Sequence, residues 1–338
     1  MKIYILTEGS RHTGFGHITR CTSLYQAFEE KGITPLFIIN GDETVIDLLK
    51  DKNYIFLNWL EERKELFSMV ADGAAVIIDS YMTDLDIYKR LSQTVKIPVY
   101  IDDNRRLDYP DGIIVNGTIG SRHFGYPQRP GISYLLGGIY MPLRKEFWEM
   151  PEKPVKDTVQ NMLITFGGDD WRNMTPKIMR LLRKKYPEHS KNVVIGKGFQ
   201  NIEEITHEAD KETDLIYYPD AEGMKRVMLE SDLAITAGGQ TLYELARVGV
   251  PTVAISVADN QMNNVTAFRN EGALVYAGWY QDLDILRKTE DGIGLLHEKG
   301  IRERMSKAGR SLVDGEGAMR IIQEVLRRAD YNKEGAFD

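Results

Sequence analysis

Short apolar runs alternate with stretches of helical periodicity along the whole chain. In the first half, the runs predicted as strands are KIYILTEG, TPLFIIN, AAVIIDSY, IPVYIDD and GIIVNG. Residues 17–31 predict a helix that ends at Gly32, and further helices are predicted near 43–51 and over 84–93. Strands that are apolar along their length and alternate with helices indicate a parallel sheet covered on both faces.

The same pattern restarts after a break near residues 149–160, where EMPEKPVKDTVQ is charged, contains proline and is weakly periodic. Predicted strands follow at NMLITFGG, NVVIG, DLIYY, DLAITAGG, VPTVAIS and ALVYAG. The chain ends in a predicted helix over 316–329 and a polar tail, YNKEGAFD. We therefore predict an α/β protein of two Rossmann-like domains, 1–150 and 151–338, facing a cleft lined by the carboxyl ends of the strands.

Composition and charge indicate which classes of partner and which cellular location fit the chain. The 338 residues are 42% hydrophobic and 28% charged, with a net charge of −7 and no polybasic stripe, which argues against a nucleic-acid partner. The one cysteine, Cys21, rules out an internal disulfide and fits a cytoplasmic protein. The N-terminal apolar run is too short for a signal peptide, and no run approaches the roughly 20 residues of a spanning helix. We expect a water-soluble substrate and no stable membrane insertion, and the oligomeric state stays open.

The segment GFGH follows the first predicted strand. Gly14 and Gly16 begin a dinucleotide fingerprint, but Thr19 stands where the third glycine belongs and the second strand ends in Asn40, so a nicotinamide dehydrogenase is weakly supported. One interpretation is a tight strand-to-helix turn with a solvent-facing histidine. The other is a loop whose glycines let the backbone approach a ligand. In that case the helix N-terminus would keep His17 neutral near pH 7, as a base requires.

Two further glycine pairs follow strands in the second half, in TFGGDDW and TAGGQTLYE. The pairs are Gly167–Gly168 and Gly238–Gly239. Free backbone N–H groups at a helix N-terminus bind anions, which favours a diphosphate site. Thr241 and Glu244 have the spacing of a capping box, the structural alternative. If the loop binds a phosphate, Glu244 lies one turn into the helix, where it could accept hydrogen bonds from ribose hydroxyls.

Polar residues end other predicted strands. Asp79, Asp102 and Asp103 could cap turns, and the segment SVADNQMNN could do the same, or could present the amides of Asn260 and Gln261 to a sugar or a water. The six histidines are scattered without metal-ligand spacing, and no G-x-S-x-G elbow is present. We predict no metal and no cofactor.

The motifs GFGHITR, DSY, IDD, YMPLRKEF, LITFGGDD, ITAGGQTLYE and ADNQ occur in this order over residues 1 to about 280. Together they resemble the UDP-sugar hydrolase family of pseudaminic acid biosynthesis and its sibling in spore coat polysaccharide synthesis. Both are relatives of the MurG-type glycosyltransferases, which have the GT-B fold.

The resemblance implies a UDP-sugar substrate and hydrolysis without a metal. Water attacks the anomeric carbon of a UDP-2,4-diacetamido-2,4,6-trideoxyhexose with inversion; His17 is the base or the anchor of that water, and Tyr81 and Asn260 position it. In the second half, the Gly238–Gly239 loop holds the diphosphate and Glu244 the ribose. The full substrate-binding set is Gly14, Gly16, Arg20, Asp102, Gly167, Gly168, Gly238, Gly239, Gln240, Thr241, Glu244 and Gln261.

Two other functions stay open. A glycosyltransferase of the same fold would use His17 to deprotonate an acceptor hydroxyl instead of water. A sugar-nucleotide binding protein without turnover would leave His17 unexplained. The family pattern usually has Ser where this chain has Gln240 and commonly has Trp where it has Tyr243, so the sugar itself is not fixed by the resemblance.

Overall fold

The computed structural model describes residues 1–10 and 14–334. Residues 11–13 of the first glycine loop and residues 335–338 of the predicted polar tail lie outside this description. The strands are β1 (Ile3–Gly9), β2 (Leu36–Gly41), β3 (Tyr54–Phe56), β4 (Ala75–Asp79), β5 (Ile97–Ile101), β6 (Gly112–Asn116), β7 (Ile132–Leu136), β8 (Asn161–Thr165), β9 (Ser190–Ile195), β10 (Thr213–Tyr217), β11 (Leu233–Ala237), β12 (Thr252–Ser256) and β13 (Val275–Trp279). The α-helices are α1 (Gly16–Glu29), α2 (Arg63–Val70), α3 (Leu85–Thr94), α4 (Met174–Lys185), α5 (Ile202–Glu208), α6 (Ala221–Glu230), α7 (Thr241–Val248), α8 (Met262–Asn270), α9 (Ile285–Leu295), α10 (Lys299–Leu312) and α11 (Gly317–Glu334).

The first compact unit comprises residues 1–145 and 315–338. Its parallel sheet has the order β3-β2-β1-β4-β5-β6-β7. Every residue of β1, β4, β5 and β6 is buried, as the continuous apolar runs predict for strands covered on both faces. The helix predicted near 43–51 is a 3₁₀-helix, Glu43–Leu48, capped by the side chain of Asp42.

The pattern misses the two edge strands of this sheet, β3 and β7. Most of their residues are only partly buried, so neither strand carries the continuous apolar run by which central strands are found.

The second compact unit comprises residues 146–314. Its parallel sheet has the order β10-β9-β8-β11-β12-β13. Its core is formed by apolar side chains of the strands and of the helices that flank them. Helix α7 ends at Gly249, whose φ of +84° is the left-handed conformation that terminates helices.

The C-terminal helix belongs to the first unit, whereas we predicted the second domain to run to residue 338. Helix α11 packs against α1, and Ile321 and Val325 are fully buried. Arg320 Nη1 also donates to the carbonyl oxygen of Ile139 at 2.9 Å. An amphipathic pattern shows that a helix needs an apolar partner, but it does not identify which sheet supplies one.

Candidate active site

The strand order reverses between β1 and β4, and the candidate site of the first unit lies at their carboxyl ends. Glu8 lies near the end of β1, Asp79 ends β4, and His17 is the second residue of α1. Ligands of open parallel sheets bind at such a reversal. The topology therefore brings together three residues that are remote in sequence.

His17 is paired with Asp79. Its Nδ1 lies 2.7 Å from Oδ1 of Asp79, a fully buried carboxylate. A carboxylate only accepts hydrogen bonds, so Nδ1 carries the proton, and in the neutral imidazole Nε2 has the lone pair. Burial alone would raise the pKa of Asp79, but the charges of Arg20 and His17 hold it well below its usual range. The pair can therefore act as a base oriented by a permanent anion.

The pKa of His17 lies above its ordinary value, which differs from the effect that we expected of the helix N-terminus. Burial lowers this pKa, but the charge of Asp79 and its hydrogen bond raise it by more. The carboxylate of Asp79 is a full charge in direct contact with the imidazole, whereas a helix N-terminus acts as a fraction of a charge.

Arg20 lies between two carboxylates. Its Nε and Nη2 donate to the oxygens of Asp79 at 2.8 and 2.7 Å, and its Nη1 donates to Oδ1 of Asp103 at 2.5 Å. We predicted a substrate contact for Arg20. In the structure its guanidinium is buried and fixes the positions of Asp79 and Asp103 through hydrogen bonds.

Tyr81 lies against the imidazole of His17, and its role in holding a water stays a prediction. The rings of Tyr81 and His17 are perpendicular, with centroids 4.6 Å apart. The Tyr81 hydroxyl donates to Oδ2 of Asp103 at 2.5 Å, and its backbone N–H donates to Glu8 at 2.8 Å. The side chain is 39% exposed, so a ligand can reach the phenol.

Sequence reasoning missed Glu8 as a site residue. Glu8 is buried, accepts a hydrogen bond from Ser80 Oγ at 2.6 Å, and its Oε1 lies 4.0 Å from Nε2 of His17. For Asp79 and Asp103, sequence reasoning left turn capping open and joined neither residue to His17. A signal was available, because in a parallel sheet acidic residues at the ends of neighbouring strands meet at one edge.

Asp102 acts as the turn cap that we considered as the alternative to substrate binding. It is buried, and it accepts hydrogen bonds from the Tyr126 hydroxyl at 2.5 Å and from the backbone N–H of Arg106 at 3.2 Å. These bonds stabilise the turn after β5 and connect it to Tyr126.

Gly14 precedes α1 and Gly16 is its first residue. Among residues 1–10 and 14–334, a Cβ built on Gly14 or Gly16 would meet no heavy atom within 4 Å. Gly14 has a φ of +82° and donates its N–H to Ser10, so its backbone requires glycine. Gly16 has no such constraint, which is compatible with close approach of a ligand.

In the second unit, the glycine pairs follow β8 and β11, where the second strand order reverses. Gly167 has a φ of +82°, and a Cβ there would meet nothing within 4 Å. Gly168 accepts a hydrogen bond from Gly198 at 2.9 Å. A Cβ on Gly238 would lie 2.5 Å from Val265, so packing requires glycine there, whereas Gly239 has no neighbour closer than 3.9 Å.

Thr241 is the first residue of α7, and Gln240 takes the cap position without a side-chain cap bond. A capping box would need Thr241 at the cap position itself. Glu244 is 3% exposed. The contacts of Gln240, Thr241 and Glu244 with a nucleotide stay predictions.

Gln261 ties two loops together. Its Oε1 accepts hydrogen bonds from the N–H groups of Gly238 at 3.2 Å and Val257 at 3.0 Å. Asn264, which sequence reasoning missed, donates to the Gly238 carbonyl at 3.2 Å. Asn260 lies exposed in the 3₁₀-helix Asp259–Gln261. The amide oxygen of Gln261 thus shapes the glycine loop, and the role of Asn260 stays a prediction.

Residues 163–311 match the glycosyltransferase family 28 C-terminal domain. The matched region begins in β8 and includes both glycine pairs of the second unit. Among residues 1–10 and 14–334, no group of three or more His, Cys, Asp or Glu side chains could hold a metal ion. No helix within the described residues is long and apolar enough to cross a bilayer.

Curated relatives extend the similarity beyond this region. The chain is 28% identical over 271 residues to the uncharacterized protein MJ1062 of Methanocaldococcus jannaschii, covering 75% of this chain and 55% of that protein. It is 22% identical over 336 residues to the spore coat polysaccharide biosynthesis protein SpsG of Bacillus subtilis, covering 95% and 96%. It is 22% identical over 277 residues to the pseudaminic acid cytidylyltransferase and UDP-2,4-diacetamido-2,4,6-trideoxy-beta-L-altropyranose hydrolase of Helicobacter pylori, covering 80% and 47%. The chain thus spans about half the length of two of these relatives, and the predicted resemblance is confirmed.

Solved structures identify the fold. MurG of Acinetobacter baumannii superimposes with a TM-score of 0.69 at 14% identity, covering 97% of this chain and 100% of that one. UDP-GlcNAc 2-epimerase of Neisseria meningitidis, bound to UDP-GlcNAc, superimposes with a TM-score of 0.65 at 14% identity over 97% and 100%. The chain has the GT-B fold. Each unit of this GT-B chain holds one set of candidate residues at the reversal of its strand order.

Proposed function

We propose that the chain is a nucleotide-sugar hydrolase that releases UDP from a UDP-2,4-diacetamido-2,4,6-trideoxyhexose. Water attacks the anomeric carbon with inversion and without a metal ion. The enzyme would act in the cytoplasm, in the biosynthesis of a nonulosonic acid or of a surface polysaccharide. The names of the B. subtilis and H. pylori relatives support this assignment.

The His17–Asp79 pair is the observation that carries the proposal. Asp79 holds the proton of Nδ1, and Nε2 is left to take a proton from the nucleophile. The water oxygen forms a bond to the anomeric carbon as its proton passes to Nε2. The bond from that carbon to the phosphate oxygen breaks, and UDP leaves with the electron pair. Tyr81, perpendicular to His17, would hold the same water.

The glycine loops of the second unit would bind the UDP. Backbone N–H groups around Gly167–Gly168 and Gly238–Gly239 suit the diphosphate, and they can stabilise the charge that develops on the leaving group. Glu244 would accept hydrogen bonds from the ribose hydroxyls, and Gln240 and Thr241 would complete the loop. The similarity to the epimerase bound to UDP-GlcNAc supports a UDP-sugar ligand.

A glycosyltransferase is the second candidate function. The match of residues 163–311 to a glycosyltransferase domain favours it, and His17 with Asp79 could equally deprotonate an acceptor hydroxyl. The two candidates differ in one requirement, because only the transferase needs an acceptor other than water.

The test is UDP release without an added acceptor. The donors are UDP-2,4-diacetamido-2,4,6-trideoxyhexoses and UDP-N-acetylhexosamines, and the proteins are wild type, His17→Ala and, as the matched control, His207→Ala. His207 is exposed on α5, so its loss should not change the rate. We expect equal amounts of UDP and free sugar from wild type, and a loss of at least about 100-fold in His17→Ala.

If no donor releases UDP while donors still raise the melting temperature, the hydrolase is wrong for this panel and the transferase takes its place. Equal rates for wild type and His17→Ala would remove His17 from the mechanism.

A further inference from the structure

The proton of the Tyr81 hydroxyl points at Asp103. The phenol donates to Oδ2 of Asp103, and Oδ1 of the same carboxylate accepts from Nη1 of Arg20. A guanidinium cannot accept a hydrogen bond and a carboxylate cannot donate one, so the direction of both bonds is fixed. Burial and the charge of Asp103 raise the pKa of Tyr81, so the phenol keeps its proton.

A nucleophile beside His17 therefore meets two hydrogen-bond acceptors that have no other donor among the described residues. One is Nε2 of His17, and the other is the oxygen of Tyr81, whose one proton is held by Asp103. Glu8 also lies 4.0 Å from Nε2, but its two oxygens already accept from the backbone N–H of Tyr81 and from Ser80 Oγ. Water has two protons and can donate to both, which leaves its lone pairs for the anomeric carbon. An alcohol has one proton, so it can satisfy Nε2 or the phenol, but not both.

We propose that Asp103 is a positioning residue that selects water over alcohols as the nucleophile, because it turns the Tyr81 oxygen into an acceptor. This inference rests on the proposed hydrolase function. Asp103 and Arg20 would act through Tyr81: together they fix the direction in which the Tyr81 hydroxyl donates its proton. An alcohol that donates its proton to His17 loses the hydrogen bond to Tyr81, a difference of about threefold to tenfold in rate.

Asp103→Asn reverses the direction of the hydrogen bond between Tyr81 and residue 103 without changing the size of the side chain. Arg20 only donates, so it will select the amide oxygen of the new side chain. The amide NH₂ then faces Tyr81 and donates to the phenol oxygen. The phenol proton is released and can point at the nucleophile, where it suits the lone pair of an alcohol as well as that of water.

The experiment measures the products of donor cleavage in water–methanol mixtures. We expect wild type to favour free sugar over methyl glycoside by about threefold to tenfold at equal concentrations of water and methanol, and Asp103→Asn to raise the ratio of methyl glycoside to free sugar by about the same factor. Hydrolysis should fall by about tenfold in kcat with little change in KM. Tyr81→Phe should show a similar fall, and the double variant should lose no more than either single variant.

Tyr126→Phe is the matched control. Its hydroxyl makes the same kind of bond to Asp102, one residue before Asp103 along the chain. We expect its product ratio to equal that of wild type. An unchanged product ratio in Asp103→Asn, or losses in Asp103→Asn and Tyr81→Phe that add, would overturn the proposal.

A readout that needs no turnover separates this inference from the proposed function. If wild type cleaves no donor, the hydrolase fails, and the hydrogen bond of Tyr81 is then measured at neutral pH by the chemical shift of ¹³Cζ-labelled tyrosine, with Tyr81→Phe to assign the signal. A phenol that donates to a carboxylate is polarised toward the phenolate, so the Cζ signal of Tyr81 should move toward that of an ordinary tyrosine in Asp103→Asn. An identical chemical shift in both proteins would contradict the role of Asp103.

Discussion

Nδ1 of His17 and Oδ1 of Asp79 lie 2.7 Å apart although 62 positions separate the two residues along the chain. The strand order explains the contact, because β1 and β4 are neighbours and α1 begins directly after β1. Asp79 is fully buried, so its charge is poorly screened and acts strongly on the imidazole.

This pair predicts the pH dependence of the reaction. His17 must be neutral to accept a proton, and Asp79 raises its pKa above the ordinary value near 6.5. We expect kcat/KM to fall as the pH drops through a pKa above 6.5. Asp79→Asn should move that acid limb to lower pH while lowering the plateau by about 100-fold. The measurement is kcat/KM between pH 5 and pH 9, and an acid limb at the same pH in both proteins would contradict the prediction.

Removing Arg20 should destabilise the first unit. Arg20→Met leaves Asp79 buried without its main opposite charge, which costs about 3–5 kcal/mol in comparable cases. Urea unfolding at pH 7 measures the change. Arg287→Met removes exposed ion pairs with Asp284 and Asp291, so we expect it to cost less than about 1 kcal/mol.

The same variant has a pH signature of known sign. The folded-state pKa of Asp79 is depressed, so its contribution to stability is present above its unfolded pKa of about 3.9 and is lost as the pH falls through the folded value. The difference between wild type and Arg20→Met should therefore be smaller at pH 3 than at pH 7. An equal difference at both values would mean that Asp79 is not the group left uncompensated.

The glycines predict a separation of stability from binding. Gly16→Ala should change the free energy of unfolding by less than about 1 kcal/mol, because the φ of Gly16 is ordinary and the added Cβ meets open space. The same substitution should weaken donor binding if the sugar approaches the backbone at Gly16. Gly238→Ala would set a Cβ 2.5 Å from Val265, and overpacking of this kind costs about 1–3 kcal/mol. Calorimetry of donor binding and thermal melts test both. Unchanged donor affinity in Gly16→Ala would mean that the glycine serves only the turn.

Much of the fold and half of the site could be predicted from sequence. The central strands carry continuous apolar runs, and the glycine loops follow them directly, so both are local signals. His17 was named from the sequence as the candidate base or water anchor, a role that stays a prediction, but Asp79 and Glu8 were not joined to it, because their contact depends on which strands are neighbours. The partner of α11 was missed for the same reason. Gln261 shows a further limit: its amide binds two backbone N–H groups, and sequence alone does not distinguish an amide that holds a loop from one that faces a ligand.

The second unit should bind UDP through Glu244. Its side chain is buried near the start of α7, beside the loop proposed to hold the diphosphate. Glu244→Gln keeps the shape but removes the charge that strengthens hydrogen bonds from the ribose hydroxyls. A charged acceptor contributes about 1.5–3 kcal/mol, so we expect UDP affinity to fall by about tenfold to 100-fold. Titration calorimetry with UDP measures this affinity, with Glu203→Gln on the exposed face of α5 as the matched control.

2′-Deoxyuridine diphosphate tests the contact between Glu244 and the ribose directly. It should bind wild type more weakly than UDP does, and Glu244→Gln should discriminate less between the two nucleotides. Equal discrimination in both proteins would show that Glu244 does not contact the 2′-hydroxyl.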